Sequence, residues 1–236
     1  DRVLHHAVYR CLYPFFDRTF IADSYSCRDK RVTHRALRRF HHFARQVSRN
    51  NTRTCWALKC DIRQFFASID QSILLYILST YIPDRNVLWL LERIIFSFYS
   101  TASGRGLPLG NLTSQLLVNI YLNEFDQYAK HKLKAEYYLR YSDDFVFLSP
   151  DKRWLELLIP LVENFLINVL RLSLHPDKVF ICSLASGVDF LGWVNFPDHW
   201  VLRVSTKRRM LRQIVENTDR ETIQSYLGFL KHGNTH

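Results

Sequence analysis

The sequence predicts an α+β fold: an antiparallel sheet whose helices are segregated onto one covered face. Three observations predict it. Short apolar and aromatic runs have strand character, longer stretches place apolar residues at three- and four-residue spacing, and the strands and helices come in blocks instead of strict alternation. With 47% apolar residues in a chain of 236, a sizeable core can be buried, which excludes a disordered tail.

Taken in order, residues 3–20 and 33–48 have helical spacing, and residues 54–62 (TCWALKCDI) read as a buried strand. Asp70 is placed to cap a helix over 71–79, because its carboxylate can accept the free N–H groups of a first turn. A second helix is expected over 82–99, a glycine-containing loop over 103–110 and a third helix over 112–134. Residues 137–141 and 145–148 form aromatic strands joined by a tight turn at Ser142–Asp143. Leu155, Leu158, Val162, Phe165, Leu166, Val169 and Leu170 then mark an amphipathic helix with a kink at Pro160. Strands near 179–182 and 190–194 and a helix over 205–229 complete one continuous body with a small C-terminal appendage.

The formal charge is +10, which favours a polyanionic partner. Between Arg28 and Arg53 nine Lys and Arg residues face one acid, Asp29, so this segment reads either as an electrostatic footprint for phosphates or as a solvated helical face. Five cysteines without a CxxC pair read as reduced thiols, which argues against a zinc site. The opening DRVLHHAVYR lacks a charged-then-apolar leader and no apolar run reaches membrane-spanning length, so a cytoplasmic location and no membrane partner are expected.

The chemistry concentrates in two places. Asp143 and Asp144 stand side by side at a hairpin turn, in YSDDF, where mutual repulsion and burial are costly unless a cation neutralises them. Asp61 ends an otherwise apolar strand, in LKCDIRQFF, and also needs a partner. Hard carboxylate oxygens suit magnesium, and three of them can bridge two ions roughly 4 Å apart, the arrangement that activates a hydroxyl and stabilises a leaving pyrophosphate. A solvated turn for the pair, and a helix cap or an Arg63 partner for Asp61, are the alternatives.

DIRQFFASID, GLPLGNLTSQ, YSDDF, HPDKVF and FLGWV resemble, in order, the five catalytic blocks of reverse transcriptases. The resemblance implies a right-hand polymerase palm: partial fingers over 1–56, palm over 57–200 with a fingers insertion around 76–105, and the truncated start of a thumb over 201–236. It implies an RNA-directed DNA polymerase with two Mg2+ ions on Asp61, Asp143, Asp144 and the backbone of Ile62. It further implies a catalytic role for Lys178, which could equally be a surface residue, and nucleotide contacts from Phe66, Leu109, Gly110 and Gln115. Phe66 corresponds to the aromatic residue that collides with a ribose 2′-hydroxyl, whereas Phe65 is expected to face the core. Arg28, Lys30, Arg31, Gly192, Trp193 and Lys231 correspond to nucleic-acid contacts, with His232 beside Lys231. Trp193 could also simply finish the core.

The second block reads Leu109-Gly110-Asn111-Leu112-Thr113-Ser114-Gln115, with an apolar residue where most of the family has glutamine. This is similar to reverse transcriptases of diversity-generating retroelements, which copy a template RNA with errors at adenines. The expected partners are template RNA, an RNA/DNA duplex, dNTP and a small basic accessory protein. An intron-type or phage-defence enzyme, and a catalytically silent RNA-binding palm, are the alternatives. The basic finger hairpin of related enzymes would precede the segment at which this sequence starts.

Overall fold

A computed structural model of the chain describes residues 2–29, 31–98, 103–108 and 110–216, together with Gln224. Its centre is a five-stranded sheet built from β1 (Ser24–Tyr25), β2 (Trp56–Asp61), β3 (Tyr138–Tyr141), β4 (Asp144–Ser149) and β5 (Phe180–Ser183). The strand order is β1-β3-β4-β2-β5, antiparallel except for the parallel β1–β3 pair. Strand alternation divides the side chains cleanly. Leu58, Cys60, Tyr138, Phe145 and Phe147 point to one face, and Ala57, Leu139, Val146 and Leu148 to the other.

The first face is covered by α1 (Arg2–Phe16), α4 (Gln71–Tyr81), α6 (Leu112–Gln127) and α7 (Lys152–Leu170). Phe125 meets Phe145 at 5.0 Å between ring centroids and Tyr138 meets Phe147 at 4.8 Å, pairs that each add about 1 kcal/mol beyond their buried area. The second face is covered too, by α2 (Thr33–Ser48) and a small sheet of β6 (Val188–Phe190), β7 (Trp193–Asn195) and β8 (Trp200–Leu202). Ala36, Leu37, Phe40, Phe43, Ala44 and Val47 form the buried stripe of α2. A short α3 (Phe65–Ser68), α5 (Arg85–Phe96) and α8 (Val204–Glu216) are the remaining α-helices among the described residues.

Local chemistry explains where these elements start and stop. Asp70 caps α4 by accepting from the N–H groups of Ser72 and Ile73, both at 3.1 Å. The expected helix over 82–99 begins only at Arg85. Ile82 precedes a proline and is extended, and Asp84 caps α5 through Asn86 N–H at 2.8 Å. The expected helix over 112–134 leaves α geometry after Gln127 and widens to a π turn at Tyr128–Lys132. A single strand over 190–194 is replaced by a hairpin, since Leu191 and Gly192 both have positive φ and join β6 to β7 by a two-residue turn. The helix expected over 205–229 is described as α8 up to Glu216; apart from Gln224, the remainder lies outside the described residues.

Candidate active site

The hairpin β3–β4 and strand β2 end together at one end of the sheet. Asp61 and Asp144 are directly opposite in the antiparallel register, and Ser142–Asp143 forms the adjoining two-residue turn. The backbone of Ile62 locks the turn to β2 by donating its N–H to the Asp143 carbonyl at 3.2 Å. The sequence therefore brings three carboxylates from remote positions to one place. Asp61 and Asp144 share a sheet face with Lys59, two residues before Asp61 on β2.

Each carboxylate is held by a lysine or by burial. Lys59, itself buried, lies 3.3 Å from Asp144 Oδ2, and Lys178 lies 3.1 Å from Asp61 Oδ2. Asp144 Oδ1 is buried and meets no hydrogen-bond donor among the described residues. Burial pushes the Asp144 carboxyl up to about 7; Lys59 pulls it down, and the charges of Asp61 and Asp143 push it further up. Asp143 is raised as well, first by burial, with the charge of Asp61 adding to it. Among the described residues no three His, Cys, Asp or Glu side chains are drawn into a ready metal cage. The orphaned Asp144 Oδ1, with the carboxylates of Asp61 and Asp143 beside it, is nevertheless a donor set that suits a hard divalent cation.

Lys178 reaches Asp61 because the segment after α7 packs along the end of β2, with His175 N–H donating to the Asp61 carbonyl at 2.8 Å and Arg63 N–H to the Ser173 carbonyl at 2.9 Å. Phe65 is buried and Phe66 partly exposed, as expected from their positions. Leu107 N–H donates to the Phe66 carbonyl at 2.9 Å and ties the 103–108 loop to α3. Gly110 is exposed with φ +90°, a left-handed geometry that favours glycine, and Gln115 lies half-buried in the first turns of α6. Leu109, Lys30, Lys231 and His232 lie outside the described residues.

Two expected nucleic-acid contacts are corrected. Arg28 is buried: it donates to Asp17 Oδ1 at 2.7 Å and to the carbonyls of Ile21 and Ser24, both at 2.9 Å, so its guanidinium is consumed inside the fold. Trp193 is 0% exposed in the core between α2 and the small sheet, so its ring cannot grip a primer. Arg31 remains at the surface of a cavity of about 470 Å³ that it shares with Arg35, Arg38, Arg39 and His42. Arg39 is paired there with Asp23 at 2.7 Å. Gly192 occupies the β6–β7 turn and accepts from Arg203 N–H at 3.0 Å.

Sequence reasoning missed Lys59 and a buried cluster under the turn, formed by Arg140, Asp126, Tyr138 and Asn119. The available signal was a charged residue inside an apolar strand, in WALKCD and YLRY, because such a residue must find a partner.

An α+β body with three carboxylates converging where a hairpin turn meets a neighbouring strand is the palm architecture of template-directed polymerases. The family model for reverse transcriptase (RNA-dependent DNA polymerase) matches residues 1–195, and the chain belongs to that family. It is 26% identical over 229 residues to protein YkfC of Escherichia coli K12, covering 81% of this chain and 60% of that protein. It is 22% identical over 265 residues to the group II intron-encoded protein LtrA of Lactococcus lactis, covering 82% of this chain and 42% of LtrA. In fold it resembles apo telomerase from Candida tropicalis, with a TM-score of 0.64, 11% identity, and coverage of 84% of this chain and 40% of that one. The chain thus spans about three fifths or less of the relatives it matches. No described helix is long and apolar enough to cross a membrane.

Proposed function

We propose that this chain is the catalytic part of an RNA-directed DNA polymerase that copies a template RNA into DNA by nucleotidyl transfer. The observation that carries this reading is the register pair Asp61–Asp144 beside the Asp143 turn, at one end of the sheet. Asp61, Asp143 and Asp144, with the Ile62 carbonyl beside them, would hold two Mg2+ ions, which supply Lewis acidity for the attacking hydroxyl and the leaving pyrophosphate. Lys59 and Lys178 neutralise the carboxylates otherwise, and Lys178, half-exposed, can move from Asp61 toward a pyrophosphate. The Phe66 ring excludes a ribose 2′-hydroxyl and selects dNTP, while Gly110 and Gln115 border the nucleotide. The exposed arginines of α2 supply charge for the RNA/DNA duplex or template backbone. Division into fingers over 1–56, palm over 57–200 and thumb from 201 belongs to the same reading.

The finer assignment is to diversity-generating retroelements, with frequent errors opposite adenine and a small basic accessory protein. It rests on Leu109 preceding Gly110-Asn111-Leu112-Thr113-Ser114-Gln115. An apolar Leu109 cannot supply the polar contacts of a glutamine near the templating pair, and each lost 1.4 kcal/mol costs about tenfold in discrimination. The similarity to LtrA favours a group II intron-type enzyme as the second reading.

Primer extension on an RNA template tests the main reading. Asp143→Asn and Asp61→Asn are expected to abolish Mg2+-dependent extension while RNA binding stays within about twofold. Extension at the unmodified rate by either variant would remove the assignment.

A further inference from the structure

Beneath the catalytic turn, on the sheet face opposite Asp61 and Asp144, Arg140 is fully buried against an equally buried Asp126. Its five N–H donors are all used. Nε and one Nη2 hydrogen go to Asp126 Oδ1 and Oδ2 at 2.9 and 2.7 Å, and the other Nη2 hydrogen goes to Ser24 Oγ at 2.9 Å. The two Nη1 hydrogens go to Asn119 Oδ1 at 3.2 Å and to the Ser142 carbonyl at 3.0 Å. Tyr138 donates its hydroxyl to Asp126 Oδ1 at 2.6 Å and completes the cluster.

Burial of an ion pair is poor evidence of a stabilising role, because desolvation offsets the attraction. What distinguishes this one is where the fork points. Ser142 is a non-glycine residue with φ +56°, a conformation that L residues adopt only when their surroundings enforce it. Its carbonyl belongs to the peptide group that leads into Asp143, and Arg140 fixes that group from below while Ile62 fixes the next carbonyl from the side at 3.2 Å. Asn119, on α6, ties the same guanidinium to the Gln115 carbonyl and the Ser26 carbonyl, both at 3.1 Å. One planar group therefore joins β1, α6 and the turn.

We propose that Arg140 is a positioning residue: its guanidinium, oriented by Asp126 and Asn119, holds the left-handed Ser142 peptide so that Asp143 and Asp144 aim at Asp61. This rests on the reading of those three aspartates as the metal-holding set. A lysine at the position keeps the charge opposite Asp126 but lacks the planar fork that reaches Asp126 and the Ser142 carbonyl at once.

The test uses the whole chain and manganese ion alone, titrated by electron paramagnetic resonance, with thermal unfolding in parallel. In Arg140→Lys, Mn2+ is expected to bind at least tenfold more weakly in protein that remains folded at the assay temperature. Asn119→Ala, which removes one Nη1 acceptor and leaves the ion pair, is expected to weaken it about threefold. A folded Arg140→Lys protein that binds Mn2+ within twofold of the parent overturns the proposal. If that variant fails to fold, Asn119→Ala decides alone, and unchanged Mn2+ affinity there overturns it. Asp143→Asn serves as the control: Mn2+ binding equal to the parent would remove the metal reading, and this proposal with it, whereas loss of binding in the control with unchanged Arg140→Lys rejects the positioning role only.

Discussion

Replacing Asp144 with asparagine removes one of three converging negative charges and keeps nearly the same shape. Burial and the neighbouring carboxylates lift this group from 3.8 to about 7, even with Lys59 at 3.3 Å. A difference of that size corresponds to roughly 4 kcal/mol against the folded state at alkaline pH, an upper figure that solvent access and relaxation reduce to about 2–4 kcal/mol. The sign follows from proton counts: with the folded value raised, the native state binds more protons than the unfolded chain between about pH 4 and 7, so stability falls as pH rises through that window and levels off above it. Asp144→Asn should therefore be more stable than the parent at pH 8 in EDTA, with a Tm higher by about 4–16 °C for a chain of this size. The gain should shrink toward zero near pH 4, where the folded parent carries a protonated Asp144 as neutral as asparagine. Urea or thermal unfolding followed by circular dichroism at pH 4, 6 and 8 measures it. A variant that is less stable than the parent at pH 8, or equally stabilised at pH 4, would refute the view that Asp144 is an unfavourable charge retained for function.

Further outcomes follow from other positions. Phe66→Ala should raise ribonucleotide incorporation relative to dNTP by at least about tenfold, roughly 1.4 kcal/mol of lost exclusion, in single-turnover extension. Leu109→Gln should lower misincorporation opposite adenine by about tenfold, measured by sequencing cDNA from an adenine-rich template; an unchanged error spectrum would detach this residue from infidelity. Arg28→Ala should cost about 2–4 kcal/mol in urea unfolding, because the Asp17 carboxylate and three carbonyls lose their donor, yet leave the salt dependence of RNA binding unchanged. Arg38→Ala with Arg45→Ala, on the exposed side of α2, should do the reverse, leaving stability within about 0.5 kcal/mol and lowering the salt slope by about 0.7 for each phosphate that is no longer neutralised.

The parts of the fold legible in the sequence are those whose cause is local. Asp70 caps α4 through N–H groups two and three residues on, and the buried stripe of α2 is spaced at the helical period, so both can be read from a short window. β1 could not be read, because two residues have no periodicity and this strand exists only through its parallel pairing with β3. Leu191 hid the β6–β7 turn by adopting a positive φ that its side chain does not advertise. The three aspartates stand out because an acid in an apolar strand, or a pair of acids at a hairpin, is conspicuous. Lys59 and Arg140 are equally out of place in their strands, but the partners that explain them come from another strand and another helix. Arg28 is the opposite case: its sequence neighbours are surface arginines, and only the chain reversal that places Asp17, Ile21 and Ser24 around it turns it inward.

Helix α2 carries two unrelated duties on one cylinder, with Phe40, Phe43 and Val47 wedged against the sheet and Arg38 and Arg45 turned to solvent. A single inserted or deleted residue in its middle would swing everything beyond it by about 100°, driving arginines toward the hydrophobic wedge and phenylalanines into water. Substitutions can tune the outer side one position at a time, but changes in length within the helix cannot, so the length of α2 is far more constrained than its polar composition suggests.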